Sequence, residues 1–451
     1  MKRAKNTQPA QALAQALAPT PTVLHPAPAL LPLVALHGLM HILATTLPAL
    51  SPLVKQEFCL TNTAVGVLSF AFAAAIGLGS VFSGLLSDRF DGLRLVSLGL
   101  FFAAVLSALL FVSHDFLSLT LIFVVMGFCL SLYHPSSLSY IAKSVKTRRG
   151  RAFGVHETGA SLGLAVTPLV AGLVCLYAGW RFVYLFWAFP TAFFAILLLS
   201  LSRSHSLSHS RSLSHSRSLS HSRSLSHSHS LSLSHNHKPT EEGGRTKLTV
   251  FLRQIASTGS LRRIYLIEGL FGFVVGGSLT FIPIFFNEAL GVSPALAVVL
   301  TCVFTAGGAV GKFAGGHFSD LVGERRVMAF GFFLTAPFFF VVPFLPLFGA
   351  VLALALAGLI FPTVLPAIIS RISKEVPRSR QGVAFGLLMF AGFGFGSTSR
   401  LILGLVSDSY GISAVFYPIV LAALVGGLLN ICRPTGVRVG GVRVGGVGLE
   451  K

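Results

Sequence analysis

Histidine and glutamate side chains stand inside otherwise apolar stretches of this chain, and their types and spacing could move protons. His37 and His41 are four residues apart, so on a helix they share one face. An imidazole titrates near physiological pH, and a carboxylate such as Glu157 can share a proton with a histidine at a similar depth, here His134. With the neighbouring His156, these residues are the candidate proton-coupling groups.

A second group of side chains could bind a charged ligand. Lys312 lies well inside an apolar stretch, where it could offer a positive charge to an anion or to Glu157. Tyr133, Glu268 and Arg400 complete the candidate substrate-binding residues.

Two of these candidates also have a plainer interpretation. Glu268 is expected about one turn inside its helix, where it could pair with Arg262 or Arg263 near the surface. Arg400 is expected near the outer end of its helix, two turns before Asp408, as an outer gate or an interfacial anchor.

The elements that must position these groups are membrane helices. The chain is 53% hydrophobic and 11% charged, with a mean hydropathy of +0.79, whereas a soluble protein needs about a quarter of its residues charged. A helix crosses the hydrocarbon layer with about 20 apolar residues. We predict an all-α membrane protein with twelve spans, at residues 30–53, 62–86, 93–113, 117–142, 151–175, 180–201, 264–287, 293–317, 327–346, 349–371, 381–406 and 411–432.

The net charge of +20 lies mainly in alternate loops, as in the clusters at 143–151 and 371–380. This pattern follows the positive-inside rule and predicts a multi-pass protein of the inner (plasma) membrane with both termini in the cytosol. Charges placed in this way argue against a nucleic-acid partner. Residues 1–28 contain no compact apolar segment with a cleavage site. We therefore predict a cytosolic tail rather than a signal peptide.

The chain repeats itself at a constant shift of 232 residues. Gly172 matches Gly404 and Gly179 matches Gly411 at this shift, and the sequence Ala-Phe-Gly recurs at 152–154 and 384–386. A repeat of six spans predicts two six-helix bundles related by a pseudo-twofold axis, with the pathway for a small molecule at their interface. The predicted bundles are residues 29–201 and 248–432, followed by a cytosolic tail at 433–451.

Between the bundles, residues 202–247 repeat Ser-Leu-Ser-His-Ser-Arg and are expected to form a disordered cytosolic linker. The linker histidines that form His-x-His pairs could bind zinc or nickel, which is the basis for an alternative function in metal handling. These histidines are His227, His229, His235 and His237. Otherwise we expect no metal and no cofactor, because the five cysteines are scattered without a CxxC pair.

Two loops carry related motifs at the repeat shift. Residues 84–94 read GLLSDRFDGLR and residues 316–326 read GHFSDLVGERR, and both resemble the G-x-x-x-D-R-x-G-R-R loop of the major facilitator superfamily. The resemblance implies the fold of that superfamily and a gating role for these loops. The implied gating residues are Gly84, Asp88, Arg89, Arg94, Gly316, Asp320, Arg325 and Arg326.

The predicted fifth span contains Gly159, Gly163 and Pro168, which resemble the glycine- and proline-rich fifth helix of the exporters in that superfamily and permit close helix packing. Residues 37–61 and 133–137 further resemble the fosmidomycin-resistance branch. The resemblance implies a proton-driven exporter of a small organic compound or drug, acting as a monomer. An organic-acid uptake symporter stays open as an alternative, whereas an enzyme is not expected, since no phosphate-binding motif or catalytic set is present.

Overall fold

The computed structural model describes residues 29–87, 90–144, 149–224, 248–376 and 381–431. It contains twelve helical segments that are long and apolar enough to cross a membrane, which confirms the predicted number of spans. In chain order, spans 1 to 12 are Leu30–Ala49, Asn62–Ser87, Gly92–Val112, Phe116–Ile141, Val155–Tyr177, Trp180–Arg203, Gly259–Glu288, Pro294–Val322, Glu324–Phe344, Leu347–Glu375, Val383–Tyr410 and Ile412–Ile431.

Polar caps and glycines set several ends of the spans. The Asp115 carboxylate accepts a hydrogen bond from the backbone N–H of Ser118 at 2.8 Å and so caps span 4. The same hydrogen bond holds the pKa of Asp115 below its usual value. Gly323 and Gly411 have φ values of 90° and 85°, which allow the sharp turns into spans 9 and 12.

Four spans are interrupted near their middle. Span 8 is divided at Thr301 and Gly307 into Pro294–Leu300, Cys302–Ala306 and Gly308–Val322. Span 4 consists of Phe116–Ser131 followed by Tyr133–Ser144, and span 10 contains a tight 3-10 turn at Phe361–Thr363. In span 11, Phe390–Phe395 is a π-helical segment, which is a rare conformation that often marks functional positions. Such interruptions persist in a membrane where neighbouring helices cover the freed backbone groups.

The spans form two bundles with the same internal packing. In the first bundle span 1 packs on span 5, span 2 on span 4, and span 3 on span 6. The second bundle repeats these pairs as 7 with 11, 8 with 10, and 9 with 12. The bundles meet through span pairs 2 and 11, 5 and 8, and 1 and 7, which a twofold axis would exchange. The predicted fold class is therefore confirmed.

Close backbone contacts repeat between the bundles as well. A Cβ added to Gly127 would lie 2.7 Å from the Phe72 carbonyl oxygen, and one added to Gly358 would lie 1.9 Å from the Phe304 carbonyl oxygen. Phe72 and Phe304 are 232 residues apart, and Gly358 is within one residue of the position that the same shift predicts from Gly127. Small residues thus hold the equivalent helices together in both bundles.

The first half of the region predicted as a disordered linker is helical. The helix of span 6 continues without a break from Trp180 to Ser224, well beyond the expected end at residue 201. The repeat in this region contains no glycine or proline that would interrupt a helix, which is the physical reason for the extension. The rest of the predicted linker and its His-x-His pairs lie outside the described residues, as do both predicted tails.

Large apolar side chains are exposed on the outside of the bundles. Phe313 is 82% exposed and Phe348 is 80% exposed. Exposed apolar area on this scale would be unfavourable in water. The surface is therefore that of a protein surrounded by lipid, as the composition indicated.

Candidate functional site

We call the end of the bundles at which span 1 begins and span 12 ends the terminal end, and the opposite end the distal end. At 1.5 Å per residue, the ionisable side chains of the first bundle lie about 10 to 17 Å from the terminal end, in one layer. Lys312 of span 8 lies at a similar depth. This layer, which we call the polar layer, consists of His37, His41, Tyr133, His134, His156, Glu157 and Lys312.

Hydrogen bonds inside the polar layer fix which ring nitrogen carries the hydrogen in neutral His37 and His156. The Tyr133 hydroxyl donates to the Leu33 carbonyl oxygen at 2.6 Å, so Tyr133 must accept the proton of His156 Nε2 at 2.9 Å. His37 Nδ1 lies 2.9 Å from the His156 carbonyl oxygen and therefore donates its proton there. In the neutral rings, His156 Nδ1 and His37 Nε2 then carry lone pairs.

Glu157 faces one of these lone pairs. Its Oε1 lies 3.6 Å from His156 Nδ1, and its side chain is 38% exposed although His156 is fully buried. Two acceptors cannot face each other stably, so a proton between them is favourable. Across the interface of the bundles, Lys312 also attracts Glu157 electrostatically. Glu157 thus links a buried imidazole of one bundle to a cation of the other.

Three other rings of the polar layer form a triangle. The ring centres of His37 and His41 are 5.0 Å apart, those of His37 and His134 are 5.2 Å apart, and those of His41 and His134 are 5.3 Å apart. The Phe393 ring of span 11 lies 6.3 Å from His134 and covers this triangle from the second bundle. The structure therefore brings together all five candidate proton-coupling residues.

Glu268 and Arg400 make none of the contacts described above for the polar layer, and neither occupies the place expected from sequence. Span 7 begins at Gly259, so Glu268 is about 14 Å from the terminal end rather than one turn inside. It is buried against Gly392, and its Oε2 has no hydrogen-bond partner among the described residues. Glu268 lies deeper than expected because span 7 begins earlier than the apolar pattern indicated.

Arg400 is buried rather than interfacial. Its guanidinium lies against Gly276, and the Arg400 Nε has no hydrogen-bond partner within the described part of the chain. A side chain at position 276 would collide with it, since an added Cβ would lie 2.8 Å from one terminal nitrogen. Arg400 is therefore held in the contact between spans 7 and 11, and other residues close the distal end.

The two predicted gating loops are only partly described. Asp88 and Arg89 lie outside the described residues, whereas Gly84 is buried and Arg94 lies 3.7 Å from Asp91. In the second loop Asp320 is exposed. Arg325 and Arg326 lie in the first turn of span 9.

An ion pair that the motif did not indicate ties spans 9 and 10 at the terminal end. The Glu324 carboxylate accepts hydrogen bonds from Lys374 and, at 2.9 Å, from Ser370.

Helix packing in the second loop region uses Gly315 rather than Gly316. An added Cβ would lie 2.3 Å from the Thr363 carbonyl oxygen at Gly315, but 4.0 Å from any neighbour at Gly316. Since backbone atoms cannot move aside cheaply, we expect Gly315→Ala to destabilise the protein by about 1–3 kcal/mol. Gly316→Ala is the matched control and should leave stability within about 0.5 kcal/mol of the parent. Thermal unfolding in detergent measures both, and equal melting temperatures for the two variants would contradict this packing.

Two of the three packing residues predicted in the fifth span, Gly159 and Gly163, lie against span 1. A Cβ at Gly159 would be 2.2 Å from the Val34 carbonyl oxygen, and one at Gly163 would be 2.3 Å from the Gly38 carbonyl oxygen. Pro168 is buried inside the same helix. This close approach brings His37 of span 1 next to His156 of span 5, with ring centres 4.0 Å apart.

Polar contacts between the bundles cluster at the distal end. Lys55 pairs with Glu288, and the Asn62 side chain donates to Ser407 at 2.9 Å. The Asp408 carboxylate accepts the backbone N–H groups of Asn62 and Thr63 at 3.0 and 2.8 Å. These contacts, which we call the distal ties, hold the distal end closed.

Sequence reasoning missed the distal ties and Phe393. Lys55 and Glu288 are 233 residues apart, almost the repeat shift, so the two charges lie at nearly equivalent places in the repeat. Opposite charges at equivalent positions are a signal that could have been used. No comparable signal distinguishes Phe393 among the 40 phenylalanines.

Comparisons with known proteins agree with this architecture. The family model of the Major Facilitator Superfamily matches residues 33–235 and 264–436. The fosmidomycin resistance protein of Escherichia coli (strain K12) is 23% identical over 401 residues, covering 88% of this chain and 90% of that protein. The uncharacterized MFS-type transporter YfnC of Bacillus subtilis (strain 168) is 24% identical over 420 residues, covering 90% and 93%.

Solved structures show the same fold. An inward-facing, unoccupied bacterial homolog of the human lysosomal transporter Spinster has a TM-score of 0.68 at 17% identity, with 89% of this chain and 94% of that chain covered. The D-xylose-proton symporter has a TM-score of 0.67 at 15% identity, with 89% and 97% covered. Since the family model covers most of the sequence, the chain belongs to the Major Facilitator Superfamily of membrane transporters.

Proposed function

We propose that this protein is a proton-driven exporter of a small organic anion, which works by alternating access between two six-helix bundles. The single observation that carries the proposal is the position of Glu157, whose Oε1 lies 3.6 Å from the buried His156 Nδ1 in the layer that also contains Lys312 of the other bundle. A proton that binds at this place changes the attraction between the bundles. Proton binding and bundle movement are thereby coupled.

The coupling step uses the carboxyl group of Glu157. As a carboxylate, Glu157 attracts Lys312 across the interface. As a carboxylic acid, it donates to the lone pair of His156 Nδ1 and no longer holds Lys312 by charge. Protonation therefore releases one bundle from the other at the depth of the polar layer, which is the event that a rocking movement requires.

The closed distal end supports alternating access. The distal ties join span 2 and the short helix Ser51–Glu57 after span 1 to spans 7 and 11, so the bundles are held together at that end. Ion pairs near a surface contribute about 1 kcal/mol or less each. A few such contacts make a closed state that can reopen, because their sum is comparable to the few kcal/mol that separate alternating states.

An anionic substrate fits the charges of the polar layer. Lys312 is the cation of the polar layer, and it lies close enough to His41 and His134 to interact with them electrostatically. The relative from Escherichia coli is a fosmidomycin resistance protein, so a phosphonate is a suitable first probe.

Fosmidomycin susceptibility of an efflux-deficient host tests the proposed substrate. Cells expressing the chain should tolerate several-fold more fosmidomycin than cells carrying an empty vector, because export lowers the internal concentration. Cells expressing Lys312→Gln to a matched membrane level are the control and should resemble the empty vector. Equal susceptibility of parent and empty-vector cells would withdraw fosmidomycin as a substrate, while membership in the superfamily would stand.

Uptake of an organic acid is the second candidate, favoured by Arg400. A buried guanidinium without an acceptor on its Nε is unfavourable unless an anion or water pairs with it. Arg400 would then bind the substrate on its way inward. Accumulation of a labelled organic acid that Arg400→Gln abolishes would favour this candidate over export.

A further inference from the structure

The histidine triangle has the geometry of a transition-metal site. Its three ring centres are separated by 5.0, 5.2 and 5.3 Å. Zinc binds imidazole nitrogen at about 2.0–2.1 Å, and about 1.1 Å more reaches the ring centre, so two tetrahedral imidazole ligands have ring centres about 5 Å apart. The three separations observed here match that value on all sides of the triangle.

The ring nitrogens of the triangle also converge. One ligand nitrogen from each of His37, His41 and His134 lies within 4.8 Å of the other two. A tetrahedral zinc site needs these nitrogens about 3.3 Å apart, so closure requires shifts of about 1 Å, within reach of side-chain rotation. His37 is on span 1 and His134 on span 4, so the site would join two helices of the first bundle.

The hydrogen bonds around the triangle leave metal-binding lone pairs unused. His37 donates Nδ1–H to the His156 carbonyl oxygen, so its Nε2 carries the lone pair, and that nitrogen is buried with no partner. Ligand histidines in metal sites are usually oriented by such a bond from the second ring nitrogen to a carbonyl. His134 Nε2 is likewise buried and without a hydrogen-bond partner among the described residues.

The geometry points to a divalent transition-metal site, of the zinc and cobalt class, formed by His37, His41 and His134. Three neutral imidazoles leave the fourth tetrahedral position open. Lys312 interacts electrostatically with His41 and His134, so an anion such as hydroxide or a substrate carboxylate or phosphonate is the favoured fourth ligand. The site is separate from the His-x-His pairs of the linker and does not depend on the proposed direction of transport.

Metal binding to the purified, full-length protein tests this site. The background is a chain in which the eight linker histidines (His205, His209, His215, His221, His227, His229, His235 and His237) are glutamine, so that the linker cannot bind metal. This variant should bind one equivalent of Zn²⁺ by calorimetry, and Co²⁺ should give the intense visible absorption of a tetrahedral site. His134→Phe, which keeps an aromatic ring, should weaken Zn²⁺ binding more than ten-fold.

His41→Gln and His114→Gln serve as further variants in the same background. His41→Gln should also weaken binding more than ten-fold, and it decides the outcome if His134→Phe does not fold. His114 is exposed outside the polar layer, so His114→Gln should bind Zn²⁺ like the background. The inference would be overturned if the background chain binds no metal, or if His41→Gln retains full affinity. Either result leaves the proposed proton coupling at Glu157 intact, because calorimetry measures no transport.

Discussion

Replacing Glu157 with glutamine should abolish proton movement while leaving substrate exchange in place. The glutamine amide can donate to His156 Nδ1 as a protonated carboxyl would, but it cannot release a proton or attract Lys312. In everted vesicles containing a pH dye, addition of fosmidomycin should produce proton movement with the parent and only background signal with Glu157→Gln. Counterflow of labelled fosmidomycin, which requires no net proton movement, should persist.

Glu268→Gln is the matched control for this experiment. Glu268 is also a buried carboxyl inside a span, but it lies against Gly392 in the second bundle, away from the contacts of the polar layer described here. The same substitution there should preserve proton movement. If Glu268→Gln abolished proton movement and Glu157→Gln did not, the coupling site would belong to the second bundle and the mechanism at Glu157 would be wrong.

Cross-linking the distal end should stop transport completely and reversibly. Asn62 of span 2 and Ser407 of span 11 are hydrogen-bonded at 2.9 Å, so these two positions are chosen for a pair of cysteines that would join the bundles by a disulfide. Alternating access requires the distal end to open in each cycle, and a covalent bond between the bundles prevents this. Transport should fall to background after oxidation of Asn62→Cys/Ser407→Cys and return after reduction.

The single-cysteine variants and a Cys59→Ser background are the controls. Cys59 is exposed close to Asn62, so its removal prevents a competing disulfide. Neither single variant should respond to oxidation. Normal transport by the fully cross-linked double variant would show that the distal ties do not open during the cycle, and alternating access through this end would have to be abandoned.

Glu157 also connects the proposed exporter with the inferred metal site. The carboxyl lies beside His156, whose backbone carbonyl orients His37 in the histidine triangle. A metal ion in the triangle would hold spans 1 and 4 together next to the group that releases the bundles. We therefore expect Zn²⁺ to inhibit transport by the parent and to inhibit His41→Gln much less.

Composition and the internal repeat are enough to predict the twelve spans, the doubled architecture and the ionisable residues in the membrane. These features follow from local composition and from a constant repeat shift, because lipid requires about 20 apolar residues per crossing wherever a span occurs. The depth of His37, His134 and Glu157 could likewise be counted along each helix. Neither kind of prediction needs knowledge of which helices touch.

Which of these side chains meet depends on the tertiary structure. His156 was one of five proton-coupling candidates in the sequence, and its ring bonds Tyr133, stacks on His37 and faces Glu157 because close glycine packing brings span 5 onto span 1. Glu268, by contrast, lies deeper than expected, because span 7 begins earlier than the apolar pattern indicates. The rotation of a helix about its axis and its exact first residue depend on contacts with other helices, and one sequence read alone does not contain those contacts.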